Sequence, residues 1–108
     1  MNSAAFLQSK QRKFTKDDKK YKTPKLQYSD IYRLSTNLDD TQDILEGNEC
    51  NIWKGYLLKN TTAQLYVNDK KYNLSRLLYH NFIAPLPDNS RISYSCDNKG
   101  ICANLTHF

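Results

Sequence analysis

The sequence predicts a small α+β domain held together by a metal staple, and three observations carry that expectation. Residues 63–67 alternate inward and outward side chains, and an Asn68-Asp69 step turns the chain into residues 70–73, the mark of a β-hairpin. Residues 74–82 switch to helical spacing, with Leu74, Leu77, Leu78 and Phe82 on one stripe. The C-terminal run Cys96-x5-Cys102-x4-His107, with Cys50 upstream, then supplies three thiols and an imidazole to a chain of 108 residues. A core that small needs such help, since below roughly 80 residues burial alone rarely suffices.

The net charge of +5 is unevenly spread. Residues 1–25 hold eight bases, Lys10, Arg12, Lys13, Lys16, Lys19, Lys20, Lys22 and Lys25, against Asp17 and Asp18, which leaves the remainder of the chain at −1. With little periodicity and a Thr23-Pro24 step that disfavours helix before it, residues 1–27 read as a flexible basic tail ahead of a domain at 28–108. Such a tail attracts polyanions through counterion release without specifying which.

Within the domain, Ser29-Asp30 is the expected cap of a short helix carrying Ile31, Leu34 and Leu38. The acidic stretch 39–49, with Asp39, Asp40, Asp43, Glu46 and Glu49, reads as solvated surface, and Gly47-Asn48 as a turn before Cys50. Residues 51–58 are rich in strand formers, and Ala63, Leu65 and Val67 form the inward set of the hairpin, with Gln64 and Tyr66 outward. Pro85 and Pro87 end the helix at 74–82, and residues 91–95 read as a short strand leading to Cys96.

No apolar stretch approaches the roughly 20 residues of a membrane span, and no secretory core follows the start. The sequons at Asn60, Asn73 and Asn104 are therefore read as accidental, and the expected compartment is reducing: nucleus, cytoplasm or a virion nucleoprotein. A mitochondrial presequence is disfavoured because the basic residues at the start are mostly Lys where such peptides favour Arg. Three cysteines, an odd number, argue against a disulfide framework.

By spacing alone, the cysteines and His107 fit either tetrahedral zinc or three buried free thiols beside a surface histidine. The surrounding motifs bear on that choice. Cys50-Asn51-Ile52-Trp53-Lys54-Gly55-Tyr56, Val67-Asn68-Asp69-Lys70-Lys71-Tyr72, Ser75-Arg76-Leu77-Leu78-Tyr79, Ala84-Pro85-Leu86-Pro87 and Ser95-Cys96-Asp97-Asn98 follow one another in this order. Together they resemble the HNH endonucleases of phages and protists and the His-Cys box homing endonucleases, most strongly over residues 50–107. The resemblance implies a treble-clef-like His-Me finger (ββα) fold in which a hairpin and one packing helix are stapled by structural Zn2+ on Cys50, Cys96, Cys102 and His107.

The departures from the family pattern shape the functional expectation. The family's general base is a histidine two positions before the second zinc cysteine, and here that position is Tyr94. A phenol, with an unperturbed pKa of about 10, is a poor base near neutrality. Ser75 stands where the family's Ala-His-Arg element has histidine, and the family's metal-binding helix after the zinc histidine is expected to be missing, the chain ending at Phe108. The resemblance thus implies a non-catalytic nucleic-acid-binding protein, DNA being favoured over RNA, as in the Mad-homology domains that resemble this fold and bind DNA without cutting it.

The hairpin would then offer Lys59, Asn60, Thr61, Gln64, Tyr66, Lys70 and Lys71 to bases and phosphates, Arg76 would face phosphate or lay its stem across Tyr79, and Lys10, Arg12, Lys13, Lys16, Lys19 and Lys20 would track the polyanion. Trp53 reads as core. The alternative is an interaction subunit of a larger nucleoprotein assembly, such as a transcription machine, ribosome or virion, to which the acidic stretch is better suited than to DNA.

Overall fold

A computed structural model describes residues 2–38, 44–45 and 49–108. Helix α1 (Ala4–Lys10) is followed by a 3-10 turn (Lys16–Lys20) and helix α2 (Tyr28–Thr36). Strands β1 (Leu57–Leu58), β2 (Thr62–Val67) and β3 (Lys70–Asn73) form an antiparallel sheet in that order, helix α3 (Leu74–Phe82) follows directly, and a 3-10 turn (Leu105–His107) lies near the end. Among the described residues the architecture is α+β, with three α-helices and one three-stranded sheet.

The hairpin forms where the sequence places it. Val67 pairs with Lys70 and Gln64 with Asn73, and Asn68 and Asp69 take φ of 52° and 64°, the left-handed pair that a two-residue turn between twisted strands requires. The same device recurs between β1 and β2, where Lys59 and Asn60 have φ of 53° and 61°. Ala63, Leu65 and Val67 are buried beneath α3, whose Leu74, Leu77 and Leu78 are almost wholly shielded from solvent. Trp53 joins this core as expected, its indole N–H donating to the Tyr56 carbonyl at 3.1 Å.

The N-terminal segment departs from expectation. Instead of a flexible tail, Ala4, Leu7 and Leu26 enter the same core as Ile31 and Leu34, and α1 packs on α2. Ser3 caps α1 by accepting from the Phe6 amide at 3.2 Å. Lone apolar residues in a Lys-rich stretch carry no periodic signal, yet two fully buried leucines contribute about 2 kcal/mol each. The ordered unit therefore begins near residue 4 and not at residue 28.

Three smaller corrections follow. α2 is capped two residues before Ser29, by Gln27, whose amide donates to Asp30 Oδ2 at 2.9 Å. Of the strand expected over 51–58, only Leu57–Leu58 joins the sheet, while Ile52 makes an isolated bridge to Cys102. Residues 91–95 are not a strand. In the acidic stretch, Asp39, Asp40, Asp43, Glu46 and the Gly47-Asn48 turn lie outside the described residues, but Ile44 within it is buried, its carbonyl accepting from Leu105 at 2.7 Å. Among the described residues, no helix is long and apolar enough to cross a membrane.

Candidate metal centre

Cys50 is separated from its partners by more than forty residues of chain, and a short backbone ladder brings it to them. The Trp53 amide donates to the Ile101 carbonyl at 2.9 Å and the Ala103 amide to the Asn51 carbonyl at 2.7 Å, setting residues 50–53 antiparallel to 101–103. Cys50 and Cys102 therefore lie side by side. The loop from Cys96 to Cys102 closes on itself through the Ile101 and Cys102 amides, which both donate to the Asn98 carbonyl, at 3.2 and 3.0 Å.

Gly100 makes that loop possible. Its φ of 84° lies in the left-handed region, and its carbonyl accepts from the Ala63 amide at 2.7 Å, docking the loop on β2. A Cβ at this position would collide with the Thr61 carbonyl. His107 arrives on the closing 3-10 turn, which Asn104 caps by accepting from the Thr106 amide at 2.9 Å.

The ligand atoms of Cys50, Cys96, Cys102 and His107 all lie within 4.8 Å of one another. His107 Nδ1 is 3.4 Å from Cys50 Sγ and 3.5 Å from Cys102 Sγ. Ligands about 2.3 Å (sulfur) and 2.0 Å (nitrogen) from a tetrahedral ion stand roughly 3.5 Å apart, so the spacing fits a structural metal ion such as zinc. The Asn104 amide points at Cys102 Sγ from 3.5 Å, the kind of N–H···S contact that supports a bound thiolate, and its side chain donates to the Glu49 carbonyl at 2.7 Å, fastening the other side of the site.

The protonation of the thiols follows from their crowding. Burial raises the Cys50 thiol, but hydrogen bonds from Asn98 and from the neighbouring Cys102, Cys96 and His107 outweigh it and bring Cys50 down to about 7. Burial, with the Cys50 thiolate beside it, pushes Cys102 up to about 12 against the help of the Asn104 and Asn51 amides. Three thiolates cannot share this space without a cation among them.

Asn51, Asn98, Gly100 and Asn104 escaped sequence reasoning as parts of the site. Their signal was available only in part: Asn98 and Gly100 marked a loop, and Asn104 is a typical cap three residues before His107.

The residues expected to meet nucleic acid divide into two groups. Lys59, Asn60, Thr61, Tyr66, Lys70 and Lys71 are exposed on the sheet and its turns, and Lys10, Lys13, Lys16, Lys19 and Lys20 are exposed on the ordered N-terminal segment. Gln64 is half-buried and donates to Asn73 Oδ1 at 3.0 Å. Arg12 is not available in this arrangement: it pairs with Asp18 at 3.0 Å, donates to the His80 carbonyl at 2.5 Å and covers the Phe14 ring. The Arg76 guanidinium does not stand free, because it donates to the carbonyls of Ser90, Pro87 and Asp88 and holds the loop after α3.

Tyr94 and Ser75 come together beside the metal ligands, lining with Asn73, Arg76 and Arg91 a cleft of about 340 Å³. Burial pushes the Tyr94 phenol above its ordinary value, and the nearby Cys102 and Cys96 add to this against a hydrogen bond from Ser75.

Over 90 residues the chain is 39% identical to an uncharacterised protein of Acanthamoeba polyphaga mimivirus, an alignment that takes in 78% of this chain and 26% of that protein. The chain thus spans about a quarter of the length of the viral relative it matches. No family model and no solved structure matches it.

Proposed function

We propose that the chain is a non-catalytic nucleic-acid-binding module, DNA being favoured, built on a degenerate His-Me finger with structural zinc. The observation that carries the reading is the Cys50, Cys96, Cys102 and His107 cluster, which has the order and ligand types of that family's zinc site and ties the sheet to the C-terminal loop. Tyr94 and Ser75 support the loss of catalysis. They occupy the two positions where the family has histidine, they lie together, and burial raises the phenol above its ordinary value, so still less of it is phenolate near neutrality. The exposed lysines of the N-terminal segment and the sheet turns supply phosphate contacts.

The match to a quarter of a longer viral protein favours, as a second reading, a module that works within a larger nucleoprotein assembly. Binding of duplex DNA by the zinc-loaded chain across a salt series tests the first reading. A steep linear fall of log affinity with log salt, weakened by replacing Lys70 and Lys71, supports it. Absence of binding to both duplex and single-stranded DNA at low salt removes it and leaves the assembly reading. Plasmid nicking with magnesium, abolished by Tyr94→Phe, would show that catalysis survives.

A further inference from the structure

α3 covers one face of the sheet, and the opposite face is open. On it Tyr56 and Tyr66 are each about half exposed, at 48% and 51%. Lys71, the cross-strand partner of Tyr66, holds its ammonium 4.2 Å from the Tyr56 ring centre and 5.4 Å from that of Tyr66. A groove of about 140 Å³ runs between them, with Arg33 and Asn37 of the α2 end at its rim and Gln64 at its base. Gln64 Oε1 is sealed from solvent and has no hydrogen-bond partner among the described residues.

Each of these features asks something of an occupant. Two exposed tyrosine faces reward a flat π-system; the Lys71 ammonium rewards phosphate, the Arg33 guanidinium being held by Asp30 at 2.5 Å; a buried acceptor without a donor costs about 1–3 kcal/mol until an N–H reaches it. A phosphate alone offers no stacking face and no such donor. Base pairs in a duplex hide their faces inside the stack, so they can use the lysine but not the rings. An unpaired base supplies all three.

We infer that the groove between Tyr56 and Tyr66 binds an unpaired nucleobase of a single-stranded segment, its ring stacked on tyrosine, an N–H of its edge donated to Gln64 Oε1 once that carboxamide turns toward the groove, and its phosphate met by Lys71. On binding, the Lys71 ammonium leaves the Tyr56 ring for the strand. This rests on the nucleic-acid reading above and narrows it to single strands.

The test uses the full zinc-loaded chain, with fluorescence anisotropy on an oligothymidylate of about 12 nucleotides, an abasic strand of the same length and a duplex. The expected result is binding to oligothymidylate about tenfold or more tighter than to the abasic strand. Tyr66→Leu and Tyr56→Leu each remove most of that preference, and Tyr66→Phe, which keeps the ring, retains it. Equal affinity for the base-bearing and abasic strands, or a preference for oligothymidylate that survives both leucine variants, overturns the stacking site while leaving nucleic-acid binding standing. A preference for duplex unaffected by the variants overturns it in favour of groove contacts. Failure to bind any of the three overturns the parent reading as well.

Discussion

The Leu26 amide donates to the side-chain oxygen of Asn81 at 2.9 Å, a bond that joins the N-terminal segment to the middle of the chain. Gln11 donates to the same oxygen at 2.7 Å, and the Asn81 amide group donates onward to Pro24 and Leu77 carbonyls at 3.1 and 2.9 Å. One fully buried carboxamide thus has both hydrogens and its oxygen engaged, and three of its partners lie in residues 11–26.

Asn81→Leu keeps the approximate volume and removes every one of these bonds, leaving the Leu26 N–H and the Pro24 carbonyl unsatisfied. The expected cost is about 3 kcal/mol in urea unfolding. Limited trypsin digestion should then cut first between Lys13 and Lys25, since this segment has lost its main attachment to α3. Unchanged cleavage would show that α1 packing alone holds it.

The metal centre predicts a specific order of thiol reactivity. In metal-free protein at about pH 7, Cys50 should be alkylated first, because its thiol sits near 7, and Cys102, pushed up to about 12, should resist. With one equivalent of zinc all three should be protected together. Mass spectrometry of peptides after brief alkylation reads both results. Cys102→Ser should lose the metal and with it the order of the C-terminal loop.

Gly100→Ala should destabilise the loop by about 2–3 kcal/mol and lower metal affinity in parallel. The substitution meets two obstacles at once, a left-handed φ of 84° and the Thr61 carbonyl where the new methyl would lie. Calorimetry of zinc binding beside thermal unfolding checks it, and a variant with normal affinity would mean that the loop can close by another route.

Which parts of the molecule were legible in the sequence depends on how local their causes are. The hairpin and α3 were readable because alternation, a left-handed Asn68-Asp69 turn and a four-leucine-class stripe all act within a few residues. The ligand set was readable from residue type and order, although the ladder that delivers Cys50 was not, since residues 50–53 pair with a segment some fifty positions away. The N-terminal segment was misread for the same reason. Its order comes from Leu7, Leu26, Gln11 and Arg12 meeting partners on α2 and α3, contacts that leave no periodic trace in a run of lysines.

The ring of His80 carries a pH dependence that can be worked out in sign. The imidazole is fully buried, takes the Leu86 amide on Nδ1 at 3.0 Å, lies 3.3 Å from the Arg12 guanidinium through Nε2, and is edged by Phe14 and Tyr21. Burial first, and then the charge of Arg12 with a smaller push from Arg76, lowers its pKa below 6.5, against the pull of Asp18 and Asp88. The unfolded chain therefore takes up a proton near 6.5 that the native state refuses. Stability should be at its full value above that pH and fall as the pH drops from 6.5 toward the depressed native value, with a slope of at most about 1.4 kcal/mol per unit. Asp18, held below 3.8 by its hydrogen bond to Arg12, adds a separate loss only at lower pH. His80→Asn offers an oxygen to the Leu86 amide without a titrating ring, so its unfolding free energy should be flatter than that of the parent just below pH 6.5. Identical slopes in urea titrations of the two proteins would show that His80 takes up its proton equally in both states and that another group sets the acid limb.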